Sequence, residues 1–440
     1  MKKLLLLTKE NRKFFYVVVI IIIIIIAYIS IYNMSRKINE NYEINILDEK
    51  QVYSKSLGKI VIDDGFDIPD KYNTGIKEGV SLVKVDKSDF VYNNIQFNYK
   101  ETSDSIEFPY GGSFSINTNL LTKTTILENL DFSDIWQFTL GNENDMPVKR
   151  TVIINNCKFN SIRIGRREEV NIEYIFNNCE IGEFVGSRST FNNCKLGGLA
   201  YDAINSFREC YFNNCYIGGL DPGGVYPWEG DLHLDGVQIF GYENIENNNI
   251  SFKNCRIECL PLPRSESTVY INACIMISLD FNNARNILFE DCIINGGGYS
   301  IYLQNKNYEF DNVSLKNIRV GCSYKYGILY NNETNGAEYK NVSEVDSLYI
   351  GSCWNRENEI NISITNYTNV ERKLKVITEN NEYEFIIPKS LLYSEMIEDI
   401  TNYDDFPIDL VKTIKGDDSK WIKCYDVTDS EILIKTKVFY

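Results

Sequence analysis

A six-residue phrase recurs through the middle of this chain: an apolar residue, one intervening residue, Asn or Asp, Cys, one more residue, and a second apolar residue. It reads IINNCKF at 153–159, FNNCEI at 176–181, FNNCKL at 191–196 and FNNCYI at 212–217. It returns as FKNCRI at 252–257, FEDCII at 289–294 and FDNVSL at 310–315. Successive cysteines fall 22, 15 and 21 residues apart (157 to 179, 179 to 194, 194 to 215), after which insertions widen the steps. A period near 20–26 residues is that of a solenoid. Within the phrase, Cys179 and Ile181 share one strand face, whereas Phe176 has the opposite parity. All three face inward only if a tight turn separates them. The Asn before each Cys can supply that turn, because Asn tolerates the left-handed backbone better than most side chains. Asn156, Asn178, Asn193, Asn214, Asn254, Asp291 and Asn312 are then expected to stack, one per coil. Short strands, a tight Asn turn and no helical periodicity predict an all-β chain built on a right-handed parallel β-helix. Leucine-rich repeats share the period but need a leucine consensus that is absent here.

The inward cysteine column, Cys157, Cys179, Cys194, Cys215, Cys255 and Cys292, is read as small buried hydrophobes with free thiols. No C-x-x-C pair is present to suggest a zinc or redox motif. Reading backwards from each Asn turn gives a matching earlier strand per coil: 162–165, 184–187, 201–205, 232–241, 275–280, 300–304 and 327–331. Stacked ~4.8 Å apart, their outward side chains form a continuous surface suited to an extended polymer.

Charge narrows the function. Lys plus Arg is 45 and Asp plus Glu is 61, a net charge of −16 over 440 residues. A basic face for phosphate is not expected, so nucleic acid is set aside as a partner. With one histidine, His233, multi-histidine metal sites are excluded. That histidine lies in EGDLHLDGVQIFG. Leu232, Leu234, Val237 and Ile239 are the expected inward residues, and their parity flips between Leu234 and Val237, so Asp235-Gly236 must hold a bulge. Asp231, His233, Asp235 and Gln238 are thereby expected to face outward, with an imidazole that titrates near neutral pH between two carboxylates. His233 and Asp235 are the candidate catalytic residues. Asp231, Gln238, Tyr302, Lys325 and Tyr326 are the candidate substrate-binding residues. Consecutive outward strand residues diverge too far to share one small metal ion. No organic cofactor is implied, and calcium is the cation such a groove could recruit.

The N-terminus carries nineteen uncharged residues, Phe14 to Tyr32, with seven consecutive isoleucines. As a helix they would span roughly 28 Å, close to a bilayer's hydrocarbon thickness. Lys2, Lys3, Lys9, Arg12 and Lys13 precede them, which predicts a cytoplasmic segment 1–13, an uncleaved membrane anchor 14–32, a linker 33–57 and an extracytoplasmic body. The body divides into a β-helix at 58–354 and a β-rich C-terminal domain at 355–440. In that domain, residues 373–388 alternate around Asn380-Asn381 as a hairpin and 432–440 form a closing strand.

Four motifs in order, NTGIKEGVSL (73–82), HLDGVQ (233–238), INGGGYSIYL (294–303) and YKYG (324–327), resemble those of a family of secreted bacterial right-handed parallel β-helix proteins of pectate-lyase-like type. The similarity covers roughly residues 58–335. It singles out His233, Asp235 and Gln238, with Tyr299, Tyr302, Tyr326 and Gly327 in neighbouring coils, and implies a carbohydrate-active β-helix. The chain departs from the family at Lys77-Glu78, where Pro-Ala is usual, and in its membrane anchor. It also lacks the aspartate cluster, GHG tripeptide and RIK motif of pectin hydrolases.

Several readings stay open. A polysaccharide lyase would use His233 or a tyrosine as base, with Lys325 neutralising a uronate. A glycoside hydrolase would pair Asp231 or Asp235 with a second carboxylate on an adjacent coil, for which Asp202 and Asp280 are available. The alternatives are a non-catalytic glycan-binding or cell-surface structural protein, and an adhesin acting through residues 355–440. Oligomeric state is not legible.

Overall fold

The computed structural model describes residues 68–93, 95–101, 112–116, 124–140, 149–164, 172–197, 202–206, 208–218, 233–240, 247–260, 270–305, 308–332, 337–356, 358–390 and 410–439. The expected anchor at 14–32, its flanks, and Asp231 lie outside these residues. Among the described residues no helix is long and apolar enough to cross a membrane.

The body is a parallel β-solenoid with three faces per coil. Face A contains Ile204–Ser206, His233–Phe240, Tyr270–Leu279, Tyr299–Asn305 and Gly327–Asn332, together with the ends of Leu130–Leu140, Lys158–Ile164 and Glu180–Gly186. Face B contains Arg150–Asn155, Ile172–Asn177, Ser189–Asn192, Arg208–Asn213, Asn247–Lys253 and Ala284–Glu290, with the start of Phe310–Val320. Face C is short: Lys195–Leu196, Tyr216–Gly218, Arg256–Cys259 and Ile293–Gly296. Every strand pairs in parallel with its equivalent in the next coil, for example Phe191 with Phe212 and Ile217 with Ile257.

Between faces B and C the chain turns at a single left-handed residue: Asn129, Asn156, Asn178, Asn193, Asn214, Asn254, Asp291, Asn317 and Asn341. The turn amides bond from coil to coil, as in Asn178 N to Asn192 O and Asn193 N to Asn213 O. Asn312 is a correction. It is left-handed, but it lies within a face B strand, and the turn of its coil is Asn317. The sequence LKNIRV (315–320) carries that turn with Leu and Ile where earlier coils have Phe and Cys, which hides it from a search for Asn-Cys. LENLDF (127–132) and YKNVSE (339–344) hide Asn129 and Asn341 in the same way.

Side-chain amides add a second register. Asn177, Asn192 and Asn213 each donate Nδ2 to Oδ1 of Asn155, Asn177 and Asn192 respectively, at 2.9–3.0 Å. These residues precede the turn residue. Lower down that position is Lys253, Glu290 or Lys316, and the ladder passes to the turn residues themselves: Asn254 donates to Asn214 and Asn317 to Asp291.

Inside, the phenylalanines preceding the turns form one column. Phe176, Phe191, Phe212, Phe252 and Phe289 stack at 4.4–4.7 Å with interplanar angles of 1–4°. The cysteine column lies beside them, and all twelve cysteines are free thiols. Their Sγ atoms donate weakly to backbone carbonyls of the same and the preceding coil, as Cys194 does to Asn192 O and Phe176 O.

Ahead of the first regular coils, Ile95–Lys100 pairs antiparallel with Phe90–Tyr92 and with Ser113–Ile116, and from Leu348 onwards the pairing is antiparallel throughout. Leu348–Arg356, Glu359–Asn366 and Leu410–Lys415 form one sheet; Arg372–Thr378, Glu382–Ile387, Trp421–Asp426 and Ile432–Val438 form the other. The expected hairpin and closing strand are both present, and one core of Leu348, Ile362, Leu374, Val376, Ile414 and Ile422 joins the sheets. This module covers face C. Arg256, itself buried, donates to Glu258 and to Thr365, while Tyr216 and Tyr367 both donate to Glu258. Asp70 ties the leading segment to the module by accepting from Ser352 N and Oγ. From there the segment runs over the solenoid turns, with Gly75 N on Asn193 O and Val83 N on Asn129 O.

Deleting one ring of the aromatic column leaves a cavity between two stacked neighbours. Phe212→Ala is expected to cost ~3–5 kcal/mol, read as a lowered urea midpoint with face A and face B surface residues unaltered.

Candidate functional site

The outward residues of face A line up across coils by strand register: Asn205, Gln238, Met276, Tyr302 and Tyr330. Inward, Ile204, Val237, Ile275 and Ile301 hold the column in place, all fully buried. The column is polar at one end and aromatic at the other. Asn205 Nδ2 donates to Gln238 Oε1 at 3.0 Å. Tyr302 and Tyr330 stack at 4.4 Å and 12°, and Tyr299 lies 5.2–6.3 Å from Tyr302, Tyr326 and Tyr330. Tyr326 is 60% exposed, and Lys325 Nζ sits 4.8 Å from its ring centre.

The expected bulge in HLDGVQ is present, with register slipping between Leu234 and Asp235. Gly236 turns into the core, where a Cβ would come within 2.4 Å of Cys259 Sγ. Leu234, Val237 and Ile239 point inward as expected. Asp235 does not lie on the open surface: it is 0% exposed. The bulge draws it beneath the outward column, where Gln238 Nε2 approaches its Oδ2 at 3.5 Å and its own N–H donates to Asp202 Oδ1 at 2.8 Å. His233 starts the same strand, paired with Tyr270 through the backbone. The direction of its side chain lies outside what is described, as does Asp231.

Asp202 is the residue that makes this a site. The sequence offered it as one of two partners for Asp235, and the coil stacking puts it there. Asp280, the other, lies beyond the end of Tyr270–Leu279 and accepts from Ser278 Oγ at 3.0 Å. On the coil before Asp202 stands Glu183, buried, accepting from Ser161 Oγ at 2.5 Å with Arg163 at 3.8 Å. Three carboxyls, Glu183, Asp202 and Asp235, thus occupy successive coils. Desolvation raises all three. Asp202 is pushed up to about 7 by burial, with Glu183 reinforcing the shift against the Asp235 N–H, which favours ionisation. Asp235 is held well above the usual carboxylate range by burial first and the Asp202 charge second, while Ala273 N–H and Asn272 act the other way. Burial also raises the Tyr302 hydroxyl to about 12, so it remains a phenol. Oδ1 of Asp235 and Oδ1 of Asn205, both buried, have no hydrogen-bond partner in the protein.

Half-buried Asp202 is therefore the acid of the group that combines access with a proton held near neutral pH. Among the described residues no three His, Cys, Asp or Glu side chains converge as metal ligands.

No family model matches this chain, and no curated protein matches it. Among solved structures, a match is the tailspike protein gp49 of Acinetobacter baumannii bacteriophage Fri1, a capsular polysaccharide depolymerase. It is 8% identical, covering 72% of this chain and 77% of that one, with a TM-score of 0.20. So slight a likeness carries nothing over to the chemistry of this chain.

A carboxyl whose folded-state pKa stands above its unfolded value of ~3.9 binds an extra proton when folded. Its contribution is fully present below pH ~4 and is lost as pH rises towards 7. The melting temperature of the wild-type protein is expected to fall between pH 4 and 8. In Asp202→Asn, which keeps the acceptor for Asp235 N–H, that slope should flatten; an unchanged slope would show that Asp202 titrates normally.

Proposed function

We propose that this protein binds a polysaccharide lengthwise along face A and cleaves its glycosidic bonds, with Asp202 as the proton donor. The observation that carries the reading is the half-buried Asp202 carboxyl, which burial, reinforced by the Glu183 charge, raises to about 7, so that it still holds a proton near neutral pH. A glycosidic oxygen leaves more readily when such an acid protonates it. Asp235, being buried, acts through Asp202 as a positioning residue. Gln238, held by the buried Asn205, offers its amide to sugar hydroxyls, and Tyr302 and Tyr326, the latter with Lys325 over its ring, offer an aromatic platform further along. Asp231 and His233, the ionisable residues nearest Asp235 in sequence, are proposed to serve the water or nucleophile.

Hydrolysis is preferred to β-elimination on electrostatic grounds. A lyase must neutralise a uronate carboxylate, yet the described cations of this face are engaged, Arg163 beside Glu183 and Lys325 over Tyr326. A non-catalytic glycan-binding role is the second reading, favoured by the full burial of Asp235. The apolar segment 14–32 with its basic flank supports tethering to a cell membrane with the solenoid outside, and calcium is a proposed rather than required addition.

The test is turnover and binding by the purified protein on neutral and acidic glycans. Asp202→Asn should lose about 100-fold or more in turnover while retaining affinity, and Tyr302→Ala should weaken binding. His233→Ala separates a catalytic imidazole from a structural one. Binding without product in the wild-type protein would leave the glycan-binding role.

A further inference from the structure

Face B carries a second column of left-handed residues at the entry of its strands, away from the turns into face C: Arg188, just before Ser189–Asn192, and Glu209, Asn249, Asn286 and Asn312, each within its strand. Strand register aligns them coil upon coil. In the lower three rungs the amides form a ladder, Asn286 Nδ2 to Asn249 Oδ1 at 3.0 Å and Asn312 Nδ2 to Asn286 Oδ1 at 2.8 Å. In the upper two rungs the ladder is replaced by an ion pair, Arg188 Nε to Glu209 Oε2 at 3.0 Å.

Among the described residues sixteen non-glycine residues have a positive φ, and all but Arg188 and Glu209 are Asn or Asp. Asn is the residue that best tolerates this conformation. At these two rungs alone the chain forgoes it. The benefit must lie in the side chains, and strained backbone of this kind points towards function.

Both residues line a cleft of about 380 Å³ together with Lys149, Ile172, Glu173, Thr190 and Tyr211. That volume is within the range of small-ligand sites. Lys149 pairs with Glu173 at 3.0 Å, so two cations and two anions cancel around the cleft. Tyr211 is 39% exposed beside them. Balanced charges offer donors and acceptors without favouring a charged ligand, and an open aromatic ring gives an apolar sugar face something to lie on.

We propose that this cleft is a second saccharide site, taking a segment of a neutral glycan: Tyr211 stacks on a ring, and the Arg188–Glu209 and Lys149–Glu173 pairs hydrogen-bond its hydroxyls. It shares with the face A reading only the class of ligand, so either can fail without the other. The site has no reacting group assigned to it and serves to hold the chain.

The decisive variant is Arg188→Asn/Glu209→Asn, which continues the Asn ladder upward. It should melt no lower than wild type, since it removes backbone strain while completing a ladder the fold already uses. Full-length protein is titrated calorimetrically with cello-, xylo-, malto- and chitohexaose. The expected result is a two-site isotherm for at least one of these, reduced to one site or weakened tenfold or more by the double Asn variant and by Tyr211→Ala, and leaving the face A site in place. Unchanged binding in either variant overturns the inference, as does failure of all four glycans to bind wild type. If Tyr302→Ala removes all binding, the face A reading stands and this one falls. If the double Asn variant removes all binding, this one stands and the face A reading falls. Should the double variant not fold, Tyr211→Ala alone decides.

Discussion

Everything in this molecule depends on a change of chain direction made by one residue. A left-handed turn between faces B and C changes strand parity, so that Phe and Cys on either side of it both point inward. Because the turn recurs at the same place in every coil, the residues flanking it stack on their own equivalents. Like then lies on like: phenylalanine on phenylalanine, thiol beside thiol, amide on amide. Stacking of identical apolar side chains gives efficient burial with little adjustment, and stacked amides satisfy one another's donors and acceptors. Asparagine suits both tasks, tolerating the backbone conformation while supplying the ladder.

The three faces use this regular frame differently. Face C is closed by the C-terminal module, through a buried Arg256–Glu258 pair whose remaining groups are taken up by Tyr216, Tyr367 and Thr365. Such a pair is tolerated only when fully hydrogen-bonded, so the module is a fixed part of the structure rather than a detachable arm. Face B keeps a solvated surface of ion pairs between coils. Face A combines amides, tyrosines and three desolvated carboxyls. Carboxyls on successive coils repel one another when charged, and the molecule lowers that cost by retaining protons. The same arrangement that weakens the fold at neutral pH supplies an acid able to give up a proton there.

Most of the architecture was legible from the Asn-Cys phrase, and so were the thiol state, the bulge at Asp235-Gly236 and the C-terminal hairpin. Coils whose turn is flanked by Leu, Ile or Val instead of Phe and Cys escaped it, which misplaced the last rung at Asn312. Parity along one strand correctly sent Leu234, Val237 and Ile239 inward. It could not reveal that Asp235, on the other side of the bulge, would be covered by Gln238 and set against Asp202. Neither the row of Glu183, Asp202 and Asp235 nor the Arg188–Glu209 pair has any sequence spacing to mark it, since each joins residues whose separation depends on insertion lengths.

What the chain determined by itself is the periodic part: where it turns, which side chains enter the core, and that coils stack in parallel. Those follow from interactions between neighbours along the sequence, namely side-chain parity and the conformational tolerance of asparagine. Only the tertiary structure decided which polar residues lie beside one another across coils, and how far each is withdrawn from water. Register between stacked strands sets those distances, and desolvation, a property of all the surrounding atoms together, sets which carboxyl keeps its proton.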